Sequence, residues 1–426
     1  MGILIEVGSL IKLQRTKQNM TQGDLAKGIV SLSYLSKIEN LKTEASPEII
    51  QALCTRLGIQ IDNSQNNMIL EKCTEWYGML FEANDKEEII AKYKEIQELM
   101  DENLTENLLM FEIHKIRYYL VIGSYDKAEE KIKQLNDISG TFDNLHLYYW
   151  YKFKGNYNTV VNDEHNESMR LYKKAEEKGR QIDVSEEEIA DLYYTIGVTH
   201  SKLRNTLEAI DYARKALEVF MKEYNFLRCA QCHIILGISY RRIKMYDNAI
   251  KNYNLALHLG KLNKNKVLIL LAQENLGHLY TTTRESKKAI THFQAVLDDE
   301  EAHPADHLYT IASLVGLYYS VGNFEETRNT VNYGLKLLEE FGKYEEYKLY
   351  YYIIIAYDHL LKEEYKEFEK LMIHGFLPSL EKQEDYGNIA IYAELLASHF
   401  EKFHKYKDAT KYYKVANFAY EQITNI

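Results

Sequence analysis

The sequence predicts an all-α protein, built from a small N-terminal helical domain and a long array of helix pairs. The 426-residue chain contains only 3 prolines, so few positions enforce a break in a helix. A pattern of glycine, aromatic and alanine residues recurs every 40 residues through the centre of the chain. A chain of this length exceeds one ordinary hydrophobic core, which also favours several domains or a repeat array.

Composition and charge restrict the classes of partner. Hydrophobic residues make up 46% of the chain and charged residues 27%, which is typical of a folded protein. The net charge is −11, but seven basic and six acidic residues give positions 1–63 a charge of +1, so the remainder carries −12. Because the acidic remainder would repel nucleic acid, we expect any DNA contact to be made by the N-terminal part alone.

No secretory signal and no uninterrupted apolar run long enough to span a bilayer is found, so we expect a cytoplasmic protein without membrane association. The four cysteines are too few to form a disulfide framework in a chain of this size.

The N-terminal domain, predicted over residues 1–63, contains four short helices. They are expected over residues 5–18, from Thr21, from Ser31 or Ser33, and from Ser46 to Gly58. Thr21 is a good N-cap with Asp24 in the first turn, and Ser46-Pro47-Glu48 is a strong helix start. The predicted core consists of Leu10, Leu13, Leu25, Ile29, Leu35, Ile38, Ile49 and Leu53.

The second and third helices carry the pattern T-Q-x-x-L-A, a turn, and S-x-S-Y-L-S-x-I-E, between Thr21 and Glu39. This pattern resembles the Cro/C1-type (XRE-like) helix-turn-helix family, which implies binding to double-stranded DNA. Two departures stand out: the turn is one residue shorter, and the glycine usual in it is missing. The alternative is a packing module that has lost DNA binding.

Geometry assigns roles to the polar residues of this motif. Gln22 would bond a phosphate at the start of the second helix. The third helix would present its N-terminal and outer face to base edges in the major groove. The predicted base contacts are Ser31, Ser33, Tyr34 and Lys37, and the predicted DNA-backbone contacts are Asn40 and Lys42. One such module binds weakly, so a homo-oligomer that presents two of them is expected.

The rest of the chain, residues 66–426, is predicted to be a repeat array. Aligned on Gly197, Gly237 and Gly277, three segments share an alanine twelve residues on and, in the last two, an aromatic residue sixteen residues on. This spacing resembles the tetratricopeptide repeat (TPR), with a longer period. The resemblance implies a right-handed α-solenoid of about nine helix pairs whose first helices line a concave groove.

No enzymatic or metal motif is recognisable, so the chain is expected to be no enzyme and to hold no cofactor. Residues 229–233 have the haem-attachment pattern C-x-x-C-H, but they fall within a predicted helix, where packing explains them better. A zinc site lacks a second ligand pair. The tyrosine-rich runs at residues 147–153 and 348–357 are expected to be helix core.

A helix-turn-helix domain followed by a long array resembles the Rap/NprR/PlcR/PrgX (RNPP) family of peptide-sensing quorum regulators. The resemblance implies a short signalling oligopeptide bound in the concave groove that changes the oligomeric state. The homo-oligomer is expected to be a dimer or a tetramer. Two alternatives remain: a Rap-like regulator that antagonises a response-regulator protein of the sporulation phosphorelay, and a generic TPR scaffold.

Residues for a peptide groove can be placed only by repeat position. Side-chain amides suit a peptide backbone because they both donate and accept hydrogen bonds, and arginine suits a peptide carboxylate. The strongest candidate is Asn275, two residues before a repeat glycine. The other candidates are Asp191, Tyr194, Gln231, Arg241, Arg242 and His278.

Overall fold

The structure is a computed structural model that describes residues 7–59, 66–81, 86–102, 105, 107–341 and 347–424. Over these residues the chain is helical and contains no β-strand, which confirms the all-α prediction. The chain folds as two compact units, Met1–Leu203 and Arg204–Ile426, hereafter unit 1 and unit 2.

Unit 1 begins with the four helices of the helix-turn-helix domain. They are α1 (Val7–Lys17), α2 (Gln22–Ala26), α3 (Leu32–Glu39) and α4 (Pro47–Leu57). A capping box starts α2, since the Thr21 side chain accepts from the backbone of Asp24 and Asp24 accepts from the backbone of Thr21. Gly58, with φ of +70°, ends α4 as predicted. Ser46 occupies the N-cap position of α4, but its side chain makes no capping hydrogen bond.

The turn between α2 and α3 corrects one expectation. The sequence pattern predicts a turn without its usual glycine, yet Gly28 lies in the turn with φ of +76°. A glycine therefore supplies the left-handed backbone that the turn needs, only earlier in the turn than the family pattern places it.

The core of this domain follows the predicted pattern with one shift in register. Six of the eight predicted core residues are buried: Leu10, Leu13, Leu25, Leu35, Ile38 and Leu53. Ile29 is half-buried. On α4, Ile50 rather than Ile49 enters the core, so the prediction was wrong there by one residue.

The remainder of unit 1 holds the first helix pairs of the array. Its helices are α5 (Asn66–Met79), α6 (Lys86–Glu102), α7 (Leu108–Ile122), α8 (Tyr125–Asn136), α9 (Asn144–Tyr157), α10 (His165–Gly179) and α11 (Glu186–Lys202). A π-helical turn at Asn158–Asn162 follows α9.

Unit 2 continues the array. Its helices are α12 (Thr206–Lys222), α13 (Phe226–Arg242), α14 (Tyr246–Leu262), α15 (Lys266–Thr282), α16 (Ser286–Leu297), α17 (Pro304–Ser320), α18 (Phe324–Phe341), α19 (Lys348–Leu361), α20 (Tyr365–Leu371), α21 (Leu377–Lys382), α22 (Tyr386–Lys402) and α23 (Tyr406–Thr424). If α20 and α21 are taken as one helix interrupted by a π turn, the described residues from 66 onward form nine pairs, as predicted.

Repeat glycines let the paired helices approach closely. A Cβ atom on Gly237 would lie 2.4 Å from the ring of Tyr253, and one on Gly277 would lie 2.6 Å from the ring of Phe293. Both aromatic side chains are fully buried and stand sixteen residues after their glycines. The predicted pairing of small and aromatic residues is therefore the packing between the two helices of each pair.

The predicted boundary between the two domains, residues 63 to 66, falls almost wholly outside the described residues, which stop at 59 and resume at 66. Among the described helices, none is both long enough and apolar enough to cross a membrane. The described part of the chain also contains no cluster of three or more histidine, cysteine or acidic residues arranged to hold a metal ion.

Candidate functional sites

The outer face of α3 is the candidate DNA-binding face. Ser33 and Lys37, four residues apart on α3, are both exposed, and neither side chain forms a hydrogen bond or ion pair with another described residue. This spacing places them on one face of the helix, where they can approach base edges together. Leu32 precedes them with 57% of its surface exposed. Sequence inspection missed Leu32, although an apolar residue here suits a thymine methyl group.

The other predicted DNA contacts have roles within the domain. The Ser31 hydroxyl caps α3 by accepting from the backbone N–H of Tyr34, at 3.2 Å. The Tyr34 hydroxyl donates to the carbonyl of Glu44, at 3.2 Å. Asn40 is exposed and its amide donates to the carbonyl of Ser36, at 2.7 Å. Lys42 is exposed, and Gln22 is half-buried at the start of α2.

A buried ion pair fixes α3 against α1 and α2. Arg15 donates two hydrogen bonds to the carboxylate of Glu39, at 2.6 and 2.9 Å. Gln22 adds a third, from its amide to Glu39 Oε2 at 2.7 Å. The Glu39 side chain has no exposed surface, so these three donors replace its hydration and hold the recognition helix in one orientation.

Unit 2 contains an elongated groove of about 600 Å³, hereafter the α15–α22 groove, since its walls come from α15, α17, α19 and α22. These are the first helices of successive pairs, which the repeat pattern predicts to line the groove. Tyrosines and aliphatic residues form most of the wall, including Tyr309, Tyr350, Ile353, Tyr357 and Tyr392. A few polar groups interrupt it, among them Asn388, Glu394 and Ser398. Size and lining are those of a site for an organic ligand rather than an ion.

His278 at one end of this groove has an unused hydrogen-bonding atom. Its ring packs edge-on against Phe293 and Tyr309, with centroids 5.1 and 5.3 Å away. Its Nε2 is buried and has no hydrogen-bond partner among the described residues. Burial, aided by the charge of Arg241, lowers the pKa of His278 to about 4, so the imidazole is neutral at pH 7. A buried polar atom without a partner is costly unless a ligand satisfies it.

A second titratable group lies on the same helix. Burial, together with the carboxylate of Asp306, raises the pKa of Glu274 to about 7. A cationic group placed beside Glu274 would favour its charged form.

The remaining predicted peptide contacts divide between the two units. On α15, the Asn275 amide donates to the carbonyl of Leu271 at 2.8 Å, and Asn275 is not among the groove-lining residues. On α13, Gln231 accepts from Arg228 at 2.9 Å. Burial, together with the positive charges of Arg204 and Arg241, lowers the pKa of Arg242 on the same helix.

In unit 1, Asp191 is buried and forms an ion pair with Lys152, whose ammonium lies 2.9 Å from its carboxylate. The Asp191 carboxylate is therefore already paired with Lys152 and needs no peptide group as its partner. Tyr194, on the same helix, is half-buried.

The groove-lining positions follow a rule that the sequence contains. With Gly277, Gly316, Ala356 and Ala397 as repeat origins, the next residue lines the groove in every case. These residues are His278, Leu317, Tyr357 and Ser398. The position three residues before the origin holds Ser313, Ile353 and Glu394 in the groove wall. Glu274 occupies the same position in α15. The prediction of Asn275 used the neighbouring position, two residues before the origin.

The C-x-x-C-H segment lies on α13, with Cys229 and Cys232 both buried. Burial raises the pKa of Cys229 to about 11. His233 instead contacts the side chain of Asn252, with Nδ1 and Oδ1 2.8 Å apart. All three residues are thus packed between helices, as the sequence predicts.

A helix-turn-helix domain with a free recognition face, joined to an array of helix pairs with an apolar groove, defines a DNA-binding regulator of the helix-turn-helix and TPR class. Comparison with known proteins agrees. A helix-turn-helix family matches residues 11–63. Over 408 residues the chain is 34% identical to the transcriptional activator NprA of Geobacillus stearothermophilus, covering 94% of this chain and 100% of NprA. The chain therefore belongs to the RNPP family of regulators.

More distant relatives share the fold. The regulatory protein RapD of Bacillus subtilis (strain 168) is 21% identical, over 78% of this chain and 94% of RapD. The apo form of the quorum sensor NprR from B. thuringiensis superposes with a TM-score of 0.71 at 18% identity, over 83% of this chain and 99% of NprR. NprR in complex with its cognate peptide NprX superposes with a TM-score of 0.58 at 20% identity, over 82% and 97% of the two chains.

Proposed function

We propose that this regulator is switched by a short oligopeptide bound in the α15–α22 groove, and that the bound peptide changes its oligomeric state. The observation that supports the proposal most is the groove itself. It offers a largely apolar volume of about 600 Å³ with the unpartnered Nε2 of His278 at one end. A neutral imidazole can donate to a peptide carbonyl or accept from a peptide N–H, according to its tautomer.

The chemistry of the groove indicates the kind of peptide. Tyrosine and aliphatic walls favour apolar side chains, whose burial supplies most of the affinity. Glu394 in the wall favours a cationic group, either the N-terminal amine or a basic side chain, and Glu274, on α15 but not among the lining residues, adds a second acidic group on a groove-forming helix. The guanidinium groups of Arg241 and Arg242 on α13 favour the peptide carboxylate. A peptide with an apolar centre and opposite charges at its two ends would match the apolar wall, the acidic groups and the arginines.

Native mass spectrometry of the purified chain tests the peptide switch. The protein is measured with and without the small-peptide fraction of spent medium from its own source. We expect one discrete peptide per subunit and a change in the number of subunits. No retained peptide together with an unchanged oligomer would contradict the proposal.

Two variants locate the peptide. His278→Leu removes the unpartnered nitrogen while keeping an apolar side chain, and we expect it to lose retained peptide. His258→Leu is the matched control, because His258 is exposed on α14 and lies outside the groove. Asn275→Ala tests the original prediction, under which it abolishes the peptide response and leaves the fold intact. Equal retention by the His278 and His258 variants would remove the groove assignment.

The DNA-contacting residues are proposed to lie on α3 and just after it, with Ser33 and Lys37 on α3 at base edges and Lys42, beyond its end, on the DNA backbone. Selection of bound duplexes from random-sequence DNA tests this without knowledge of the operator. Lys37→Glu should abolish enrichment, because it places a negative charge against the duplex. Lys127→Glu makes the same charge change at an exposed position on α8 and should leave enrichment intact.

Similarity to response regulator aspartate phosphatase E of Bacillus subtilis (strain 168), 26% identical over 282 residues, supports a second candidate function, in which the array contacts a response-regulator protein. The two roles are separable by the same variant. Lys37→Glu should impair transcriptional control and leave an array-mediated protein contact unaffected. Loss of both activities in Lys37→Glu would contradict this division of roles between the domain and the array.

A further inference from the structure

Unit 1 contains a cluster of buried charges at the junction between the helix-turn-helix domain and the array. At its centre lies Glu112 on α7, whose side chain has no exposed surface. Two lysines of the array neutralise it, with Lys115 Nζ at 2.9 Å and Lys131 Nζ at 2.6 Å. A third lysine, Lys17, reaches Glu112 from α1 of the DNA-binding domain, at 3.3 Å.

Lys17 is held by two carboxylates of the array. Besides Glu112, it contacts Asp101 near the end of α6, with Nζ and Oδ1 3.1 Å apart. Its side chain is only 18% exposed. Burial opposes the charged form, but Glu112 and Asp101 outweigh it and raise the pKa of Lys17. The pair is therefore partly desolvated and is less screened by salt than a surface pair.

Two further contacts extend the junction along α1. Gln14 is 3% exposed, and its amide donates to the backbone carbonyl of Met100 at 3.4 Å. Lys12 donates to the carbonyl of Asp137, just after α8, at 3.2 Å. Gln14 and Lys17, three residues apart, share one face of α1, and this face is turned towards α6 and α7. Lys12 lies on another side of α1 and reaches the end of α8. The exposed Ser33 and Lys37 on α3 remain outside the junction.

We propose that Lys17 and Glu112 form an electrostatic latch by which the array holds the DNA-binding domain in one fixed orientation. The domain and helices α6 to α8 then move as one body, rather than as a module on a loose tether. A rearrangement of these helices would be passed directly to the recognition helix. This inference rests on the contacts within unit 1 and does not depend on the proposed peptide switch.

The cluster allows the latch to be broken without unfolding the array. Lys17→Met keeps most of the apolar stem and removes only the charge. Glu112 retains both Lys115 and Lys131, so the variant leaves no uncompensated carboxylate in the core. Asp101→Asn weakens the second contact from a side chain that is 56% exposed. We expect its effect to be smaller than that of Lys17→Met.

Distance measurement between two spin labels on the full chain tests the proposal. The labels are placed at Gln51→Cys on α4 and Lys127→Cys on α8, both exposed positions. The four native cysteines are buried, and burial raises the pKa of Cys54, Cys73 and Cys229 to about 11. Native thiols should therefore react far more slowly than the introduced ones.

The latch predicts a single narrow distance distribution for the labelled parent protein. In Lys17→Met, the fraction of molecules whose label-to-label distance lies outside this narrow range should rise by about tenfold or more. Lys27→Met, at an exposed position directly after α2, is the charge-matched control and should leave the distribution narrow. Circular dichroism verifies that each variant is folded. A broad distribution in the parent, or an unchanged narrow one in Lys17→Met, would overturn the proposal.

Discussion

The contact between Gly237 and Tyr253 offers the sharpest test of how the array is packed. In Gly237→Ala, the new methyl group would lie 2.4 Å from a ring carbon of Tyr253, far inside van der Waals contact. The Tyr253 side chain, on α14, is fully buried, so its ring cannot swing out to solvent without disturbing its neighbours. The two helices must then separate, or the ring must leave its rotamer.

The expected magnitude combines two opposing effects. Overpacking of a dense core costs about 1–3 kcal/mol, and this contact belongs near the upper end. Alanine gains about 1 kcal/mol over glycine through its higher helix propensity. We therefore expect Gly237→Ala to lower the free energy of unfolding of unit 2 by about 2 kcal/mol.

Urea unfolding followed with two probes distinguishes a loss of stability in unit 2 from one in unit 1. Both tryptophans, Trp76 and Trp150, belong to unit 1, so their fluorescence reports on that unit alone. Circular dichroism follows helix in the whole chain. Gly237→Ala should move the circular dichroism transition to lower urea and leave the fluorescence transition in place.

Two comparisons make the result decisive. Gly78→Ala introduces the same methyl group on α5, where nothing lies within 4 Å, and should be neutral or mildly stabilising. In a Tyr253→Ala background the clash is absent, so adding Gly237→Ala should become stabilising. If Gly237→Ala proved as benign as Gly78→Ala, or remained costly without the Tyr253 ring, the proposed contact would not be the cause.

Two further predictions concern unit 1. Burial lowers the pKa of His114 to about 3, so below pH 6.5 the unfolded chain binds a proton that the folded chain does not. The stabilisation that this difference provides should be fully present above pH 6.5 and should be lost as the pH falls towards 3, as followed by unfolding monitored through tryptophan fluorescence. His114→Gln should make the free energy of unfolding depend less on pH over this range. Arg15→Met removes two of the three hydrogen bonds described above for the buried carboxylate of Glu39 and keeps the one from Gln22. The variant should lower the free energy of unfolding by about 3 kcal/mol. Faster backbone hydrogen exchange in α1 to α4 would show this loss of stability. Protection equal to that of the parent protein would refute the prediction.

The sequence predicted the helix pairs well because their signal is local. Small and aromatic residues at fixed spacing report the contact within one pair, whatever the rest of the array does. Turns between helices were harder, because several carry a left-handed residue that is not glycine. Arg204, Lys244 and Arg284 recur every 40 residues with φ of +61°. Basic residues give no turn signal in composition, since turn prediction depends on glycine, asparagine and proline.

The groove was predicted less well because its residues come from four helices spread over more than a hundred positions. Their positions relative to the repeat origins recur, but their chemistry differs from one repeat to the next, so residue type does not mark them. Asn275 is not among the residues that line the groove, and its contact with a peptide stays a prediction. Position relative to the repeat origin is what places a side chain in the wall.

Two contacts between paired helices show that the same repeat positions interact in successive repeats even though their residue types differ. His233 on α13 pairs with Asn252 on α14, and forty residues later Gln273 on α15 pairs with His292 on α16. Histidine and carboxamide have exchanged helices, yet the contact is kept, at 2.8 and 2.6 Å. Each repeat thus preserves a geometric site that different side chains fill. The same reasoning applies to the ligand: a peptide in the α15–α22 groove would meet the position after each repeat origin, where imidazole, aliphatic, phenol and hydroxyl groups follow one another. The order of those four groups along the wall, rather than any single residue, would then select the peptide.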